Sequence, residues 1–101
     1  MQFVVTGHDG TDQEAVARRL AKREEHLKAA EKMKQAGSLK FATALLDDDG
    51  KMIGSILVVD FPNRQELDQW LKVEPYVLGD VWRSVEVRPC RVAPMFQESQ
   101  D

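Results

Sequence analysis

Residues 52–61 (MIGSILVVDF) constrain the fold of this chain most, because they predict a strand that is apolar on both faces. Side chains alternate between the two faces of a strand. One face would therefore carry Ile53, Leu57, Val59 and Phe61, and the other Ile56 and Val58. Since one layer of helices covers only one face of a sheet, the second face needs another partner.

The residues before this strand predict another strand and a long helix. Residues 3–7 (FVVTG) are rich in β-branched and aromatic side chains, which is typical of a strand. Thr11 and Glu14 have the spacing of a capping box, so the helix is expected to begin there. It is expected to end near Ala36, because Gly37 supplies the left-handed conformation of a C-cap. The predicted core-facing stripe of this helix is Val16, Leu20, Leu27 and Ala30.

A hairpin and a second helix are predicted next. The acidic turn DDDG at residues 47–50 separates residues 39–46 from residues 51–61, and glycine takes the positive-φ position of the turn. Asn63 and Glu66 form a second capping box, which begins a short helix that ends near residue 72. The apolar stripe of this helix is Leu67, Trp70 and Leu71.

The last predicted strand is at residues 84–88 (SVEVR), where Pro89 is expected to stop its pairing. Residues 74–80 before it predict a turn or a short helical loop. This order of elements predicts an α+β fold of the ferredoxin-like βαββαβ type, with a four-stranded antiparallel sheet and two helices on one face. A homodimer would cover the free face and form a dimeric α+β barrel.

Length and composition limit the possible functions. The 101 residues fit a single domain, with a folded core at about residues 1–93 and a tail at 94–101. A net charge of −3 argues against nucleic acid binding. The start of the chain is unlike a signal sequence, and no apolar run approaches the ~20 residues that span a bilayer, so we expect a cytoplasmic protein without a membrane partner.

Neither a disulfide nor a metal or cofactor site is expected from the sequence. Cys90 is the only cysteine, so an intrachain disulfide cannot form, and we interpret this thiol as incidental. The two histidines are far from it and from each other along the chain. Zinc sites need three or four clustered ligands, a spacing that these residues do not provide.

Arg23 and His26 are candidates for a binding or catalytic site on the first helix. Arg23 lies two turns after Val16, and a guanidinium group on a core-facing stripe is tolerated where it meets a carboxylate or an anionic ligand. His26 lies on the flank of the same face. The two side chains are therefore expected to border one cavity. The alternative is a surface arginine and a half-exposed histidine, which are common on helix margins.

Two carboxylates are expected near this cavity. Asp9 follows the first strand and Glu74 follows the second helix, and either one could orient the His26 imidazole for acid/base chemistry. The sequence leaves the choice between them open.

Two hydroxyl groups are further candidates. Ser55 interrupts an apolar strand and could hydrogen-bond a ligand oxygen, although buried serines also satisfy nearby carbonyls. Gly54 before it indicates a close approach of the backbone. Tyr76 presents a phenol next to Pro75, either to a ligand or as an aromatic plug over the second helix.

Several motifs follow one another in order: R-E-E-H at residues 23–26, DDDG at 47–50, G-S-I-L-V-V at 54–59, E-P-Y at 74–76 and V-E-V-R-P at 85–89. Together they resemble the YCII-related (YciI-like) family over nearly the whole chain. The resemblance implies a ferredoxin-like fold, a dimeric α+β barrel and an active site with an R-x-x-H histidine and an aspartate. On this sequence those roles fall to Arg23 and His26, with Asp9, Ser55 and Tyr76 at matching places.

Two functions are compatible with this reading. The first is a cofactor-free enzyme in which His26 acts as general base or acid on a small anionic or phenolic molecule, while Arg23 holds its negative charge. The resemblance also implies lyases of the ring-cleavage or dehydrochlorinase type that act on hydroxylated aromatics, and a hydrolase-type reaction is the other option. The second function is a non-catalytic dimer that binds or senses a small molecule. A purely structural role of the dimer would need no ligand.

Overall fold

The computed structural model describes residues 1–97, which form one four-stranded sheet and three α-helices. The elements are β1 (Gln2–Asp9), α1 (Ala15–Ala36), β2 (Leu39–Leu46), β3 (Met52–Asp60), α2 (Arg64–Leu71), α3 (Pro75–Leu78) and β4 (Trp82–Cys90). The strand order is β2-β3-β1-β4, and every neighbouring pair is antiparallel. This confirms the predicted ferredoxin-like βαββαβ fold. Of the predicted tail, Pro94–Phe96 forms a 3-10 turn, and residues 98–101 lie outside the described residues.

The core lies between the helices and one face of the two central strands. Phe3 and Val5 of β1 lie opposite Val59 and Leu57 of β3, and all four side chains are at most 2% exposed. Leu67 of α2 packs on this cluster and is fully buried. Burial of a side chain of this size contributes roughly 1.5–3 kcal/mol to folding. The helices therefore cover the inward face of the predicted apolar strand.

The opposite face of the sheet is also apolar, but none of the described α-helices packs on it. Val4 and Val58 are half-buried there, next to Phe41 of β2, which is 60% exposed. Phe96 borders the same groove and is 74% exposed, so the described end of the chain only flanks this face. The second apolar face is therefore present, and its cover by a copy of the chain stays a prediction.

The predicted capping box at the start of α1 is wrong. Glu14 occupies the N-cap position, and its own side chain forms no capping hydrogen bond. Asp12 instead accepts from the backbone N–H of Glu14 at 3.3 Å, and Arg18 donates two bonds of 2.8 and 2.6 Å to its carboxylate. This charge-assisted pair holds the turn, so Thr11 has no capping role.

The predicted core-facing stripe of α1 is wrong as well. Leu20 and Leu27 are 55% and 46% exposed, whereas the residues directly before them, Arg19 and His26, are 3% and 6% exposed. One residue corresponds to a rotation of about 100° around the helix axis. The reason lies in the sheet, which presents polar side chains such as Ser55 beneath this part of α1. The helix consequently buries polar groups that bond to them.

The predicted ends of the helices fit the structure better. Gly37 closes α1 with a φ of 83°, a conformation that residues with a Cβ avoid. Asn63 caps α2, because its side-chain oxygen accepts from the backbone N–H of Glu66 at 2.9 Å. Residues 74–80 contain the short helix α3.

No helix within residues 1–97 is long and apolar enough to span a bilayer.

The last strand is longer than its sequence predicts. It begins at Trp82 rather than Ser84 and continues through Pro89, which pairs with Phe3. The prediction that Pro89 stops the pairing is therefore wrong. An edge strand tolerates proline because only one of its sides needs ladder hydrogen bonds, and β4 is an edge strand.

Candidate active site

A cluster of buried polar side chains lies where α1 and α3 meet the sheet. Its members are at most 8% exposed, which is unusual for ionisable residues and requires that they be paired. The cluster consists of Asp9 from β1, Arg19 and His26 from α1, Ser55 from β3, and Glu74 and Tyr76 at the start of α3.

His26 is bonded to Glu74. The Nδ1 atom of His26 lies 2.5 Å from Oε1 of Glu74, and the backbone N–H of Tyr76 donates to the same oxygen at 3.0 Å. Since Oε1 accepts the backbone bond, we assign the proton of the imidazole to Nδ1. The Nε2 atom then keeps its lone pair and is free to take a proton.

Two aromatic rings hold the imidazole in place. The Tyr76 ring stacks on His26, with the ring centroids 3.9 Å apart and an angle of 10° between the planes. The Trp82 ring meets His26 edge-on at 5.8 Å and 77°. The imidazole therefore has little rotational freedom, as a positioned acid or base requires.

Arg19 forms hydrogen bonds to two other members of the cluster, Asp9 and Ser55. Its Nη1 donates to both oxygens of Asp9 at 3.0 Å, and its Nη2 donates to Oγ of Ser55 at 2.8 Å. Its guanidinium carbon lies 4.8 Å from the centroid of the Tyr76 ring. The Nε atom is buried and has no hydrogen-bond partner among the described residues.

Sequence reasoning missed Arg19. The available signal was its spacing, since Arg19 precedes His26 by two helical turns and so lies on the same face of α1. The apolar pattern of the sequence instead predicts Arg23 on the core-facing stripe. Arg23 is exposed, and it forms no ion pair with a described residue.

The structure distinguishes the two candidate carboxylates. Glu74 contacts His26, whereas Asp9 is bonded to Arg19. Burial raises the pKa of Asp9 above its ordinary value, and the hydrogen bond and charge of Arg19 oppose this shift. Asp9 is thus part of a buried ion pair rather than the partner of the imidazole.

A cavity of about 180 Å³ opens beside the cluster. Among the candidate residues, Arg19, Arg23, His26, Ser55 and Tyr76 line it. The remaining wall is mostly apolar and comes from Leu27, Ala42, Thr43, Ala44, Met52 and Leu57. An apolar cavity of about 150 Å³ holds benzene in another protein, so this space suits one six-membered ring.

Two glycines permit close contacts beside the site. A Cβ at Gly7 would overlap the indole ring of Trp82, so this ring lies directly on the backbone of β1. A Cβ at Gly54 would lie 2.6 Å from the carbonyl oxygen of Gly7, which confirms the close backbone approach predicted there. With its ring against Gly7, Trp82 donates from Nε1 to Oγ of Ser55 at 3.2 Å.

Comparison with known proteins places the chain in a family. The sequence pattern of the YCII-related domain matches residues 1–91. The chain belongs to the YCII-related domain family. This confirms the resemblance seen in the sequence motifs, while no curated protein is significantly similar to this YCII-related chain in sequence.

One solved structure of similar fold is that of 5-chloro-2-hydroxyhydroquinone dehydrochlorinase from Burkholderia phenoliruptrix, in complex with 2,5-dihydroxybenzoquinone. The TM-score is 0.79, the sequence identity is 18%, and the alignment covers 94% of this chain and 98% of the dehydrochlorinase. At this identity the likeness shows a common fold.

Within residues 1–97, His, Cys, Asp and Glu side chains do not gather in groups of three or more that could hold a metal ion.

Proposed function

We propose that this YCII-related protein is an acid/base enzyme of the lyase type that acts on a small hydroxylated aromatic molecule. The observation that carries the proposal is the orientation of His26, whose Nδ1 is bonded to buried Glu74 while its ring borders the cavity. The nitrogen left for a substrate is Nε2, which holds a lone pair in this tautomer. A fixed imidazole with a buried carboxylate behind it is a general base in many enzymes.

The shape and charge of the cavity support an aromatic substrate with acidic hydroxyl groups. The volume of about 180 Å³ matches a single ring, and Leu27, Met52 and Leu57 offer it apolar contacts. The Arg23 guanidinium at the same cavity would attract an ionised hydroxyl. The substrate in the name of the dehydrochlorinase of similar fold belongs to this chemical class.

In the proposed reaction, His26 first removes the proton of a ring hydroxyl and then returns it to the ring carbon that carries the leaving group. The leaving group departs with its bonding electrons while a second hydroxyl loses its proton. The ring thereby becomes a quinone and loses one molecule of acid, so atoms and electrons balance without an external electron acceptor. Glu74 stabilises the positive imidazolium that exists between the two proton transfers.

A homodimer that closes the open face of the sheet is also part of this proposal. Support comes from the exposure of Phe41 beside half-buried Val4 and Val58, because large exposed apolar patches commonly mark interfaces. A stable dimer needs about 800 Å² of buried surface on each partner. The partners proposed for the chain are thus a second copy and a small aromatic ligand.

Product analysis of the wild-type protein tests the enzymatic proposal against the non-catalytic alternative. Purified protein is incubated with 5-chloro-2-hydroxyhydroquinone under exclusion of oxygen, and chloride and quinone are measured together. An enzyme of the proposed type releases one chloride for each quinone formed, repeatedly and faster than the protein-free reaction. Saturable binding with recovery of the unchanged compound would instead identify a carrier or sensor.

A further inference from the structure

The Ser55 hydroxyl has a fixed direction because two obligatory donors point at its oxygen. Arg19 Nη2 donates to Oγ at 2.8 Å and Trp82 Nε1 donates at 3.2 Å. A hydroxyl oxygen has two lone pairs and one proton. Both lone pairs are therefore occupied, and Ser55 can only act as a donor in any further hydrogen bond.

No acceptor within the described part of the chain takes the Ser55 proton. Ser55 is 3% exposed, so bulk water does not satisfy this donor, and the residue borders the cavity beside His26. A buried donor without an acceptor is unfavourable. The cavity therefore favours a ligand that places an acceptor atom against Ser55.

The surroundings of Ser55 make its proton a strong donor. Its oxygen accepts from a charged guanidinium group, and charge-assisted hydrogen bonds polarise the hydroxyl that they bind. Asp9 holds that guanidinium from the other side, with two contacts of 3.0 Å. Asp9 thus acts through Arg19 as a positioning residue, and Arg19 holds the Ser55 hydroxyl in place through its Nη2.

The charge at the cavity selects the kind of acceptor. The lining contains the guanidinium groups of Arg19 and Arg23, and it contains no carboxylate among the described residues, because Asp9 and Glu74 lie behind it. An anionic oxygen is favoured over a neutral one in such surroundings.

We infer that Ser55 is the hydrogen-bond donor for an ionised oxygen on a ring-shaped ligand, with Asp9 and Arg19 holding its hydroxyl in place. The substrate class is then a phenolate or a similar ring enolate, bound so that one oxyanion meets Ser55. This inference deepens the proposed function, since it rests on the same cavity, but it concerns ligand selection and not proton transfer.

The experiment uses 4-nitrophenol, whose phenolate is coloured, as a probe of binding to the wild-type protein. Absorbance titrations across pH give the affinities for phenol and phenolate separately. We expect the wild type to bind the phenolate about 10-fold to 100-fold more tightly than the phenol, as a hydrogen bond to a charged group provides. Ser55→Ala is expected to lose about 10-fold of the phenolate affinity and little of the phenol affinity.

Three variants separate this role from others. Ser55→Thr keeps a hydroxyl and should retain the preference for the phenolate. Asp9→Asn should reduce the preference without removing binding, because it loosens Arg19. His26→Gln should keep the preference, since His26 does not hold the oxyanion.

Two results would overturn the inference. One is a wild-type protein that binds no probe or prefers the neutral phenol, and this result does not depend on any variant folding. The other is unchanged phenolate affinity in folded Ser55→Ala. If turnover survives in His26→Gln while the phenolate preference depends on Ser55, the subsite stands and the acid/base proposal fails. If His26→Gln instead abolishes turnover and the phenolate preference does not depend on Ser55, the acid/base proposal stands and the Ser55 subsite fails.

Discussion

The Oε1 atom of Glu74 lies 2.5 Å from Nδ1 of His26, and both residues are buried. The same oxygen accepts the backbone N–H of Tyr76, so Glu74 is itself held by the first turn of α3. The carboxylate fixes the tautomer and the orientation of the ring. Because Glu74 does not border the cavity, it would influence a reaction only through His26.

The first prediction concerns Glu74→Gln. We expect kcat to fall by about 100-fold with KM within about twofold, because the amide keeps an oxygen for Tyr76 but lacks the charge that stabilises an imidazolium. Steady-state kinetics with the chlorinated hydroquinone checks this. Glu25→Gln, on the exposed side of α1, is the control and should leave kcat unchanged. An unchanged kcat in folded Glu74→Gln would remove Glu74 from the mechanism.

The second prediction concerns the buried ion pair of Asp9 and Arg19. Arg19→Met leaves a buried carboxylate without its partner and should lower the free energy of unfolding by about 3–5 kcal/mol. Adding Asp9→Asn should recover part of this loss, since it removes the unpaired charge. Urea unfolding of the single and double variants measures the coupling.

The control for this cycle is an exposed ion pair. Arg64 contacts Asp68 at 2.9 Å, but both side chains are about half exposed. Arg64→Met should therefore change the free energy of unfolding by less than about 0.5 kcal/mol. Equal effects of Arg19→Met and Arg64→Met would show that burial of the Asp9 pair does not matter for stability.

The third prediction concerns the ionisation of Tyr76, which is the only tyrosine of the chain. Burial raises its pKa above 10.0, against the opposing charges of Arg19 and Arg23. The pKa of Tyr76 is higher in the folded than in the unfolded protein. The protonated phenol therefore contributes fully to the free energy of unfolding below pH 10, and this contribution is lost as the pH rises through the pKa of the folded state. Ultraviolet titration of tyrosinate reports the midpoint directly. A midpoint at or below that of the urea-unfolded chain would contradict the buried position.

The fourth prediction concerns the contact between Gly7 and Trp82. Gly7→Ala forces the indole ring off the sheet and should cost about 1–3 kcal/mol of stability, as overpacking does in well-packed sites. Fluorescence in a Trp70→Phe background isolates the signal of Trp82. Gly10→Ala is the control, because a methyl there meets the movable ends of Arg18 and Asp12 and should cost less.

The fifth prediction concerns the dimer. Phe41→Glu places a charge on the open face of the sheet. At micromolar protein concentration it should convert the dimer to a monomer in sedimentation experiments. Leu78→Glu, on α3 and 68% exposed, should leave the dimer intact. A wild-type protein that sediments as a monomer at this concentration would refute the proposed dimer.

Much of the fold follows from local patterns. The period-two alternation of residues 52–61 predicts a strand with two apolar faces, and the observed burial of Leu57 and Val59 agrees with it. Gly37 and Asn63 mark helix ends because their roles depend on the backbone next to them. Such signals need no knowledge of the rest of the chain.

The face of α1 could not be predicted in the same way. Counting apolar residues favours Leu20 and Leu27, yet the helix buries Arg19 and His26. What decides the orientation is the polar surface beneath it, formed by elements far away in sequence. For the same reason, the sequence named both Asp9 and Glu74, but only the packing of α3 against α1 shows which one meets His26.

The most direct test of the account compares kcat/KM of two histidine variants. His26→Gln removes the proposed base, while His8→Gln changes the other histidine, which lies on the opposite face of the sheet and bonds to exposed Glu86. With folding and oligomeric state verified, we predict that His26→Gln loses about 10²-fold to 10⁴-fold of kcat/KM on the chlorinated hydroquinone and that His8→Gln stays within about twofold. Equal activity of the two variants would contradict the assignment of His26 as the catalytic base.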